Sequence, residues 1–159
     1  YAASHAGVPV RLVVRGICCL IPGLPGVSEN IEVISIVGQL LEHSRIFRFE
    51  NGGDPKIYMG SADWMPRNLD RRVELVFPIE DEDLKERAFG IMETLLEDNT
   101  NARRMLPDKS YQHVTHRGRA ALSAQQAFYK DAQDRLKARQ HVEHDSPLIP
   151  IHSAEDVEP

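Results

Sequence analysis

The strongest local constraint in this sequence is a turn signal, Asn-Gly-Gly-Asp at residues 51–54, between two short strand-like segments. Asn-Gly flanked by alternating apolar residues favours a tight β-hairpin. Residues 43–49, before the turn, alternate their side chains as a strand does, and residues 56–59 supply the returning strand. An antiparallel hairpin at this position brings the residues near 43 and near 61 to the same sheet edge.

The segments around this hairpin predict a mixture of strands and helices. Residues 8–15 form an apolar run that ends at Gly16, and residues 72–79 form a second predicted strand. Residues 31–41 are expected to divide into a short strand and a short helix, whereas residues 61–69 form a polar connection that contains proline. The predicted class is α/β, with a mixed β-sheet flanked by helices.

Two helices have clear signals. Residues 80–98 carry Asp81 and Asp83 in the first turn, where negative charge suits the helix dipole, and apolar residues recur at helical spacing. These apolar residues are Leu84, Ala88, Ile91, Leu95 and Leu96. Residues 123–140 predict a second helix that is charged on most faces. From residue 141 onward the chain is rich in proline and acids, so we expect a disordered tail.

Length and charge limit the classes of protein to which the chain can belong. Its 159 residues suffice for one domain with a hydrophobic core. The net charge is −5, and residues 1–79 are balanced with eight basic and eight acidic side chains, so the acid excess lies in residues 80–159. This bulk charge argues against a general nucleic-acid or membrane-surface binder, although it allows a local cluster of the 14 arginines.

The cysteine pattern and the apolar runs indicate the type of compartment. Cys18 and Cys19 are neighbours, and adjacent strand residues point to opposite faces, so we interpret both as apolar fillers in a reduced, cytosolic protein. No apolar run approaches the roughly 20 residues of a membrane helix, and no Cys/His spacing predicts a metal site. The sequence begins at Tyr1 without Met, and we expect it to be part of a longer protein.

The densest group of chemically active side chains lies between residues 15 and 74. In the predicted hairpin, His43 and Arg45 share one strand face, and Ser61 follows the returning strand. Glu74, on the neighbouring predicted strand, is expected to hydrogen-bond the His43 ring. A carboxylate bonded to one ring nitrogen fixes the tautomer and raises the basicity of the other nitrogen.

Three arginines complete this candidate site. Arg45, Arg72 on the strand face shared with Glu74, and Arg15 at the end of the first strand are expected to line a pocket in front of the free imidazole nitrogen. An acid or base, its orienting carboxylate and several cations are the groups that phosphoryl chemistry requires.

The same residues also have a structural interpretation. A histidine at the start of a strand is commonly a satisfied structural or surface residue, and strand arginines are commonly solvated or paired with nearby acids. Ser61 and Asp63 would serve equally well as a turn or a helix cap. Spacing alone leaves these alternatives open.

One half of the phospholipase D superfamily signature is His-x-Lys, then Gly-Ser-x-Asn, then a downstream Glu. This sequence resembles a degenerate version of that half, formed by His43, Arg45, Gly60, Ser61, Asp63 and Glu74. Arg45 stands in place of the Lys, and Asp63 stands in place of the Asn. These two departures argue against an ordinary phospholipase or nuclease half-site.

A closer resemblance is to the last domain of bacterial polyphosphate kinase. It is carried by four strings in order, VRGICCL at 14–20, PGVSENI at 25–31, LEHSR at 41–45 and SADWMPRNLDRRVE at 61–74. The resemblance runs over residues 8–128, about three quarters of the chain. Several long strings in the same order are far more specific than one short motif.

The resemblance implies a phospholipase-D-like domain over residues 1–128, followed by a helix end and an acidic tail over residues 129–159. It implies that the parent enzyme transfers the terminal phosphate of ATP reversibly to inorganic polyphosphate, through a phosphohistidine in the preceding domain. That domain would also bind most of the required Mg²⁺. The implied partners are ATP or ADP, polyphosphate, the preceding domains and further copies of the chain, in a cytoplasmic enzyme that can associate with a membrane when full length.

The resemblance also assigns roles to individual residues. His43 matches the partner histidine, which faces the phosphohistidine and contacts nucleotide phosphates, and Glu74 matches the residue that orients it. Arg15 matches a nucleotide-phosphate contact. The candidates for ATP or phosphate binding are Arg15, His43, Arg45, Ser61, Asp63 and Arg72. A structural cap explains Ser61 and Asp63 as well.

Two other functions are compatible with the sequence. The chain could act as a non-catalytic module that binds polyphosphate or ATP or mediates assembly, because the phosphohistidine would lie elsewhere; the chain by itself is then expected to be inactive. It could instead be a phospholipase-D-type phosphodiesterase half-site that works as a dimer, against which Arg45 and Asp63 argue.

Overall fold

The computed structural model of the chain describes residues 1–115 and 117–139. It divides into two units, Tyr1–Ala127 and Phe128–Pro159. The elements described below belong to the first unit, apart from the part of the last helix that follows residue 127. The predicted disordered tail, from residue 141 onward, lies outside the described residues.

Within the described residues the chain forms four helices and seven strands. The helices are α1 (Ala2–His5), α2 (Pro66–Arg71), α3 (Glu82–Glu97) and α4 (Ala124–Arg139). The strands are β1 (Val10–Val13), β2 (Ile31–Ile36), β3 (Ile46–Phe49), β4 (Lys56–Gly60), β5 (Val76–Pro78), β6 (Ala102–Met105) and β7 (Tyr111–His113). This arrangement confirms the predicted α/β class, with the strands divided between two sheets.

The larger sheet is mixed and contains the main apolar core. Its order is β1-β2-β6-β7, with β1 parallel to β2 and with β6 and β7 antiparallel to their neighbours. The inner strand β2 is buried at five of its six residues. Ile31 and Val33 of this strand pack with Met105 of β6, and partly buried residues from β1 cover them. Burial of apolar surface on both faces of β2 therefore stabilises this sheet.

The smaller sheet contains the predicted hairpin. Its order is β3-β4-β5 and all of its pairs are antiparallel, with Phe49 opposite Lys56 at the closed end of the hairpin. The connection includes a short 3₁₀ turn over Asn51–Gly53, in which Asn51 and Gly52 both have positive φ. The turn predicted at residues 51–54 and the two strands that it joins are thus confirmed.

Helix α3 confirms the second strong sequence prediction. Its N-cap is Asp81, whose carboxylate accepts a hydrogen bond from the Leu84 N–H at 3.0 Å. Ala88 and Leu95 are buried on one face, and the helix contacts β1 of the larger sheet as well as β3 and β4 of the smaller sheet. It therefore connects the two sheets. Helix α4 was also predicted, and the structure confirms it over Ala124–Arg139.

Two predictions for the segment between β2 and β3 were wrong. Residues 31–36 form the expected strand, but residues 37–45 form no helix, and β3 begins at Ile46 rather than at His43. Hydrogen bonds from side chains explain the irregular backbone, since Gln125 binds both backbone groups of Leu40 and Arg15 binds the carbonyl of Glu42. His43 and Arg45 therefore lie in a loop and do not share a strand face.

The segment before β5 also differs from prediction. A strand was expected over residues 72–79, but only Val76–Pro78 pairs, so Arg72 and Glu74 lie in an irregular connection. The polar connection over residues 61–69 contains most of helix α2, which begins at Pro66, a residue favoured at the first helical position. The strands β6 and β7 had no counterpart in the sequence analysis.

A buried carboxylate organises the junction of α3, β6 and α4. Asp98 is only 1% exposed. Its Oδ1 accepts backbone hydrogen bonds from Thr100, Asn101 and Ala102 at 2.7–3.0 Å, and its Oδ2 accepts one from Ala124 at 2.8 Å. This single side chain therefore caps the start of β6 and satisfies an N-terminal amide of α4, which has no partner within its own helix.

We predict that Asp98→Asn destabilises the fold by about 2–3 kcal/mol, because an amide nitrogen placed toward one of these N–H groups leaves a buried donor without an acceptor. Denaturant unfolding of the purified chain measures this loss. The matched control is Asp83→Asn, an exposed acid in the first turn of α3 that is expected to cost at most about 0.5 kcal/mol. Equal losses from the two variants would contradict the assigned role of Asp98.

Candidate functional site

The candidate site lies where several strands of both sheets end. Arg15 comes two residues after β1, and His43 and Arg45 lie in the loop over residues 37–45 that leaves β2 and enters β3. Ser61 and Asp63 follow the end of β4. The Gly60 N–H donates to the Arg45 carbonyl at 3.1 Å, so the hairpin brings the residues next to His43 beside Ser61, as the sequence analysis predicted.

Asp63 joins two arginines that are far apart in the sequence. Arg15 Nη2 donates to Asp63 Oδ2 at 3.0 Å, and Arg45 approaches Asp63 Oδ1 with Nη2 at 3.0 Å and Nε at 3.2 Å. Arg15 Nη1 also donates to the Glu42 carbonyl at 2.6 Å. The Asp63 carboxylate thus holds two guanidinium groups side by side. Without its negative charge, the repulsion between the two cations would oppose this arrangement.

Arg45 also contacts His43. Its Nη1 lies 2.6 Å from Nδ1 and 3.2 Å from Nε2 of the imidazole, and it donates to the His43 carbonyl at 2.7 Å. Because Nη1 lies close to both ring nitrogens, it approaches the face of the imidazole and not the lone pair of one nitrogen, so this contact orients the ring without fixing its tautomer. The His43 side chain itself is exposed.

Glu74 belongs to a second hydrogen-bond network. The Ser61 hydroxyl donates to Glu74 Oε2, and Asn68 Nδ2 donates to Glu74 Oε1 at 2.8 Å. The Leu75 N–H donates to Ser61 Oγ at 3.1 Å. Within the described part of the chain, the Glu74 carboxylate makes these bonds and none to the His43 ring, so the predicted contact between the two was wrong. The cause is that Glu74 lies in the loop before β5, beside Ser61 and α2.

A close backbone contact fixes the start of this second network. Gly60 ends β4, and a Cβ built at this position would lie 2.8 Å from the Leu75 carbonyl oxygen. The Ser61 N–H donates to the same carbonyl at 3.0 Å. Glycine at position 60 therefore allows β4 and the segment before β5 to approach closely enough for Ser61 to bind Leu75 and Glu74.

Both site carboxylates are stabilised in their charged form. Burial raises the pKa of Asp63, but the hydrogen bond and charge of Arg45, together with the charge of Arg15, outweigh it and hold the pKa below its usual value. The hydrogen bonds from Ser61 and Asn68 lower the pKa of Glu74. Both groups are thus anions at neutral pH and act as hydrogen-bond acceptors in the site.

The structure therefore distributes the predicted site residues over two networks and one flanking cation. Arg15, Asp63, Arg45 and His43 form the first network, whereas Ser61 and Glu74 belong to the second. Arg72 is exposed, and its charge contributes to lowering the Glu74 pKa, which places it near that carboxylate. Asp63 would repel a phosphate directly, so its contribution to any phosphate binding would be to order the two arginines.

The match to a family model decides the family. The model described as polyphosphate kinase C-terminal domain 2 matches residues 1–125. The chain belongs to the polyphosphate kinase family. This confirms the resemblance stated on the strings over residues 14–20, 25–31, 41–45 and 61–74.

Relatives of known name agree with this assignment. A polyphosphate kinase of Lactiplantibacillus plantarum is 51% identical over 138 residues, covering 87% of this chain and 19% of the relative. One of Pseudomonas aeruginosa is 58% identical over 118 residues, covering 74% of this chain and 17% of the relative. The chain thus spans about a fifth of the length of these polyphosphate kinases.

A solved structure supports the fold. The crystal structure of a polyphosphate kinase from Porphyromonas gingivalis matches with a TM-score of 0.80 at 39% identity, covering 86% of this chain and 21% of that chain. The phospholipase-D-like α/β fold implied for a polyphosphate kinase C-terminal domain therefore describes this chain.

Two observations concern membranes and metals. Among the residues that the structure describes, every helix is too short or too polar to cross a bilayer. Within the same residues, no group of three or more His, Cys, Asp or Glu side chains is arranged to hold a metal ion.

The sequence analysis missed two residues that support the site in this polyphosphate kinase domain. Asn68 is 3% exposed and binds Glu74, and its Oδ1 has no hydrogen-bond partner within the described residues. Glu42 accepts from Arg15 through its backbone carbonyl. Asn68 lies in the string over residues 61–74 that resembles the family, and this position was the signal that could have identified it. The role of Glu42 depends on its backbone carbonyl, which leaves no signal in the sequence.

We predict that Asp63→Asn lowers the free energy of unfolding by about 1 kcal/mol at pH 7, because it removes the charge that offsets Arg15 and Arg45. A lowered native pKa contributes stability above the unfolded pKa of about 4 and loses it as pH falls through the native value. The difference between wild type and variant should therefore persist from pH 7 to about pH 5 and close below about pH 3.

Denaturant unfolding at several pH values measures this difference. Asp70→Asn, at an exposed acid in α2, is the control and should leave the pH profile unchanged. A pH-independent gap for Asp63→Asn would show that the carboxylate contributes no charge-dependent stability.

Proposed function

We propose that this chain forms the C-terminal half of the catalytic site of a polyphosphate kinase, which transfers the terminal phosphate of ATP reversibly to inorganic polyphosphate. The network of Arg15, Asp63, Arg45 and His43 carries this proposal. In this network two guanidinium groups and an imidazole lie together, and the family resemblance implies contacts to nucleotide phosphates for Arg15 and His43.

In this proposal the attacking histidine belongs to a preceding domain. Its ring nitrogen attacks the terminal phosphorus of ATP, the bond from that phosphorus to the oxygen of ADP breaks, and a phosphohistidine forms. A terminal oxygen of polyphosphate then attacks the same phosphorus, and the nitrogen–phosphorus bond breaks. His43 would face the oxygen that leaves or attacks, on the side opposite the phosphohistidine.

The position and the chemistry of His43 suit such a role. The exposed imidazole lies against Arg45, and in its neutral form one ring nitrogen donates while the other accepts. In one direction the ring N–H can donate a hydrogen bond to the bridging oxygen as negative charge develops on it, and in the other direction an unprotonated ring nitrogen can accept a proton from the attacking group. Orientation of the ring by Arg45 replaces the orientation by Glu74 that was expected from sequence.

The arginines would stabilise the transferring phosphoryl group. Arg15 and Arg45 are already ordered by Asp63, and Arg72 adds a further cation near Glu74. Donors that are fixed before the reaction need little reorganisation when charge develops on the phosphate oxygens, and this is the basis of their catalytic effect. Glu74 would act through Ser61 and Asn68, by holding the loop that carries Asp63.

The resemblance implies Mg²⁺, for which the described residues by themselves provide no group of three or more ligands. We therefore assign no step of the reaction to a metal held here. In our proposal Mg²⁺ is bound mainly by the preceding domain. ATP or ADP and polyphosphate are the proposed substrates of a cytoplasmic, homo-oligomeric full-length enzyme.

We predict that His43→Ala in the full-length kinase lowers kcat for polyphosphate synthesis by about 100-fold or more, since it removes the proposed acid/base group. Steady-state assays with ATP and a polyphosphate primer measure this. His5→Ala is the matched control, because His5 is exposed and, among the described residues, its ring hydrogen-bonds only the Gly26 carbonyl. Synthesis by His43→Ala at the rate of the control would remove His43 from the mechanism.

The chain by itself is expected to bind without turning over. It spans about a fifth of the length of the relatives, and the attacking histidine of the proposal lies in another domain. We predict that titration calorimetry detects binding of ATP or polyphosphate by the purified chain, that Arg15→Ala weakens it, and that the same preparation synthesises no polyphosphate.

Three outcomes of these measurements separate the candidate functions. Polyphosphate synthesis by the isolated chain would contradict the half-site proposal. Binding that Arg15→Ala leaves unchanged would place the phosphate contacts elsewhere on the chain. Phosphodiesterase activity that disappears in His43→Ala would instead support a phospholipase-D-type half-site.

A further inference from the structure

A side chain at the start of helix α4 holds the loop that contains His43. Gln125, in the second position of α4, is buried, at 9% exposure, and its amide group faces the loop over residues 37–45. Gln125 Oε1 accepts from the Leu40 N–H at 3.1 Å, and Nε2 donates to the Leu40 carbonyl at 2.7 Å. The side-chain amide therefore pairs with both backbone groups of Leu40, as a strand neighbour would.

The same amide also binds the residue next to His43. Gln125 Nε2 donates to Glu42 Oε1 at 2.7 Å, while the Glu42 carbonyl accepts from Arg15 Nη1 at 2.6 Å. Glu42 is thus held through its side chain by α4 and through its backbone by the residue that follows β1. The orientation of the Gln125 amide is determined by these contacts, because the reverse orientation would direct its oxygen at two acceptors.

A glycine in the loop over residues 37–45 leaves space for the Gln125 amide. A Cβ built at Gly38 would lie 2.3 Å from Gln125 Oε1 and 2.8 Å from its Cδ, so any larger residue at position 38 would displace the amide. The start of α4 is itself fixed, since Asp98 Oδ2 binds the Ala124 N–H and Asn101 Nδ2 donates to Ser123 Oγ at 3.1 Å. A rigid helix end thus meets a loop that has no secondary structure of its own.

We propose that Gln125 is a positioning residue that sets the location of His43 for phosphoryl transfer. This inference rests on the proposed function, in which His43 faces the transferring phosphate. His43 lies one residue beyond Glu42, so loss of the contacts to Leu40 and Glu42 frees the backbone on one side of the imidazole. A displacement of about 1 Å at a catalytic group can lower the rate about 100-fold.

The first test is Gln125→Ala in the full-length kinase. We expect kcat to fall roughly 10- to 100-fold and the KM for ATP to change less than about threefold, because the arginines that bind phosphate stay on Asp63. Gln126→Ala is the matched control, since Gln126 is the exposed neighbour on the same helix turn, and it should retain wild-type kcat. A melting temperature within a few degrees of the control separates loss of position from loss of fold.

A second variant approaches the same contact from the loop. Gly38→Ala places a methyl group where the Gln125 amide lies and leaves α4 intact, so it should lower kcat as Gln125→Ala does. The double variant should be no worse than either single variant, because the methyl group has nothing to displace once the amide is gone. If Gln125→Ala fails to fold, Gly38→Ala decides the question alone.

The outcomes distinguish this inference from the proposed function. In one outcome, His43→Ala loses activity while Gln125→Ala and Gly38→Ala both keep kcat within twofold of wild type. That result would overturn the role of Gln125 only. Wild-type activity in His43→Ala would overturn the proposed function. Additive losses from Gly38→Ala and Gln125→Ala would show that the two residues act separately, and would also overturn the proposed positioning.

Discussion

The geometry of the site depends on one carboxylate between two guanidinium groups. Arg15 and Arg45 come from segments 30 residues apart, and both lie near the place where a phosphate is expected, so their charges repel each other. Asp63 offsets this repulsion and leaves the cluster with a net positive charge. A phosphate that enters the site meets donors whose directions are already set, although its oxygens must compete with Asp63 for some of them.

The backbone around β4 determines the position of the Asp63 carboxylate. Asp63 follows β4, and β4 is positioned by the hairpin with β3 on one side and by the close contact of Gly60 with Leu75 on the other. The same contact allows Ser61 to bind Glu74, so the two hydrogen-bond networks meet in the segment of three residues from Ser61 to Asp63. Stacking of Trp64 on Phe47, with ring centroids 5.2 Å apart, fixes the far end of this segment.

The sequence analysis correctly predicted those elements whose conformation is determined by residues close together in the sequence. Asn51 and Gly52 favour a hairpin turn wherever they occur between apolar residues, and the first-turn acids and apolar spacing of α3 need no tertiary contact to be recognised. The hairpin also predicted that Ser61 lies beside the residues next to His43, and the hydrogen bond from the Gly60 N–H to the Arg45 carbonyl agrees with this.

The errors arose where side chains distant in sequence replace backbone pairing. The loop over residues 37–45 was expected to be helix and strand, but Gln125, more than 80 residues away, bonds to its backbone. Glu74 was expected to face His43 across a sheet, but Ser61 and Asn68 draw it to α2. A single sequence contains no local sign of either contact, since both depend on how the elements come together.

These contacts explain how the proposed phosphate site can be built largely on loops. Arg15, His43, Asp63 and Glu74 all lie outside regular strands and helices, so hydrogen bonds within a sheet or helix do not hold them. Arg15, Asp63 and Glu74 are held instead by hydrogen bonds to residues of other segments, whereas His43 contacts Arg45 of its own loop. Loops leave these groups accessible to the second domain that the proposed function requires. The cost is that the geometry depends on a few individual contacts, each of which a single substitution can remove.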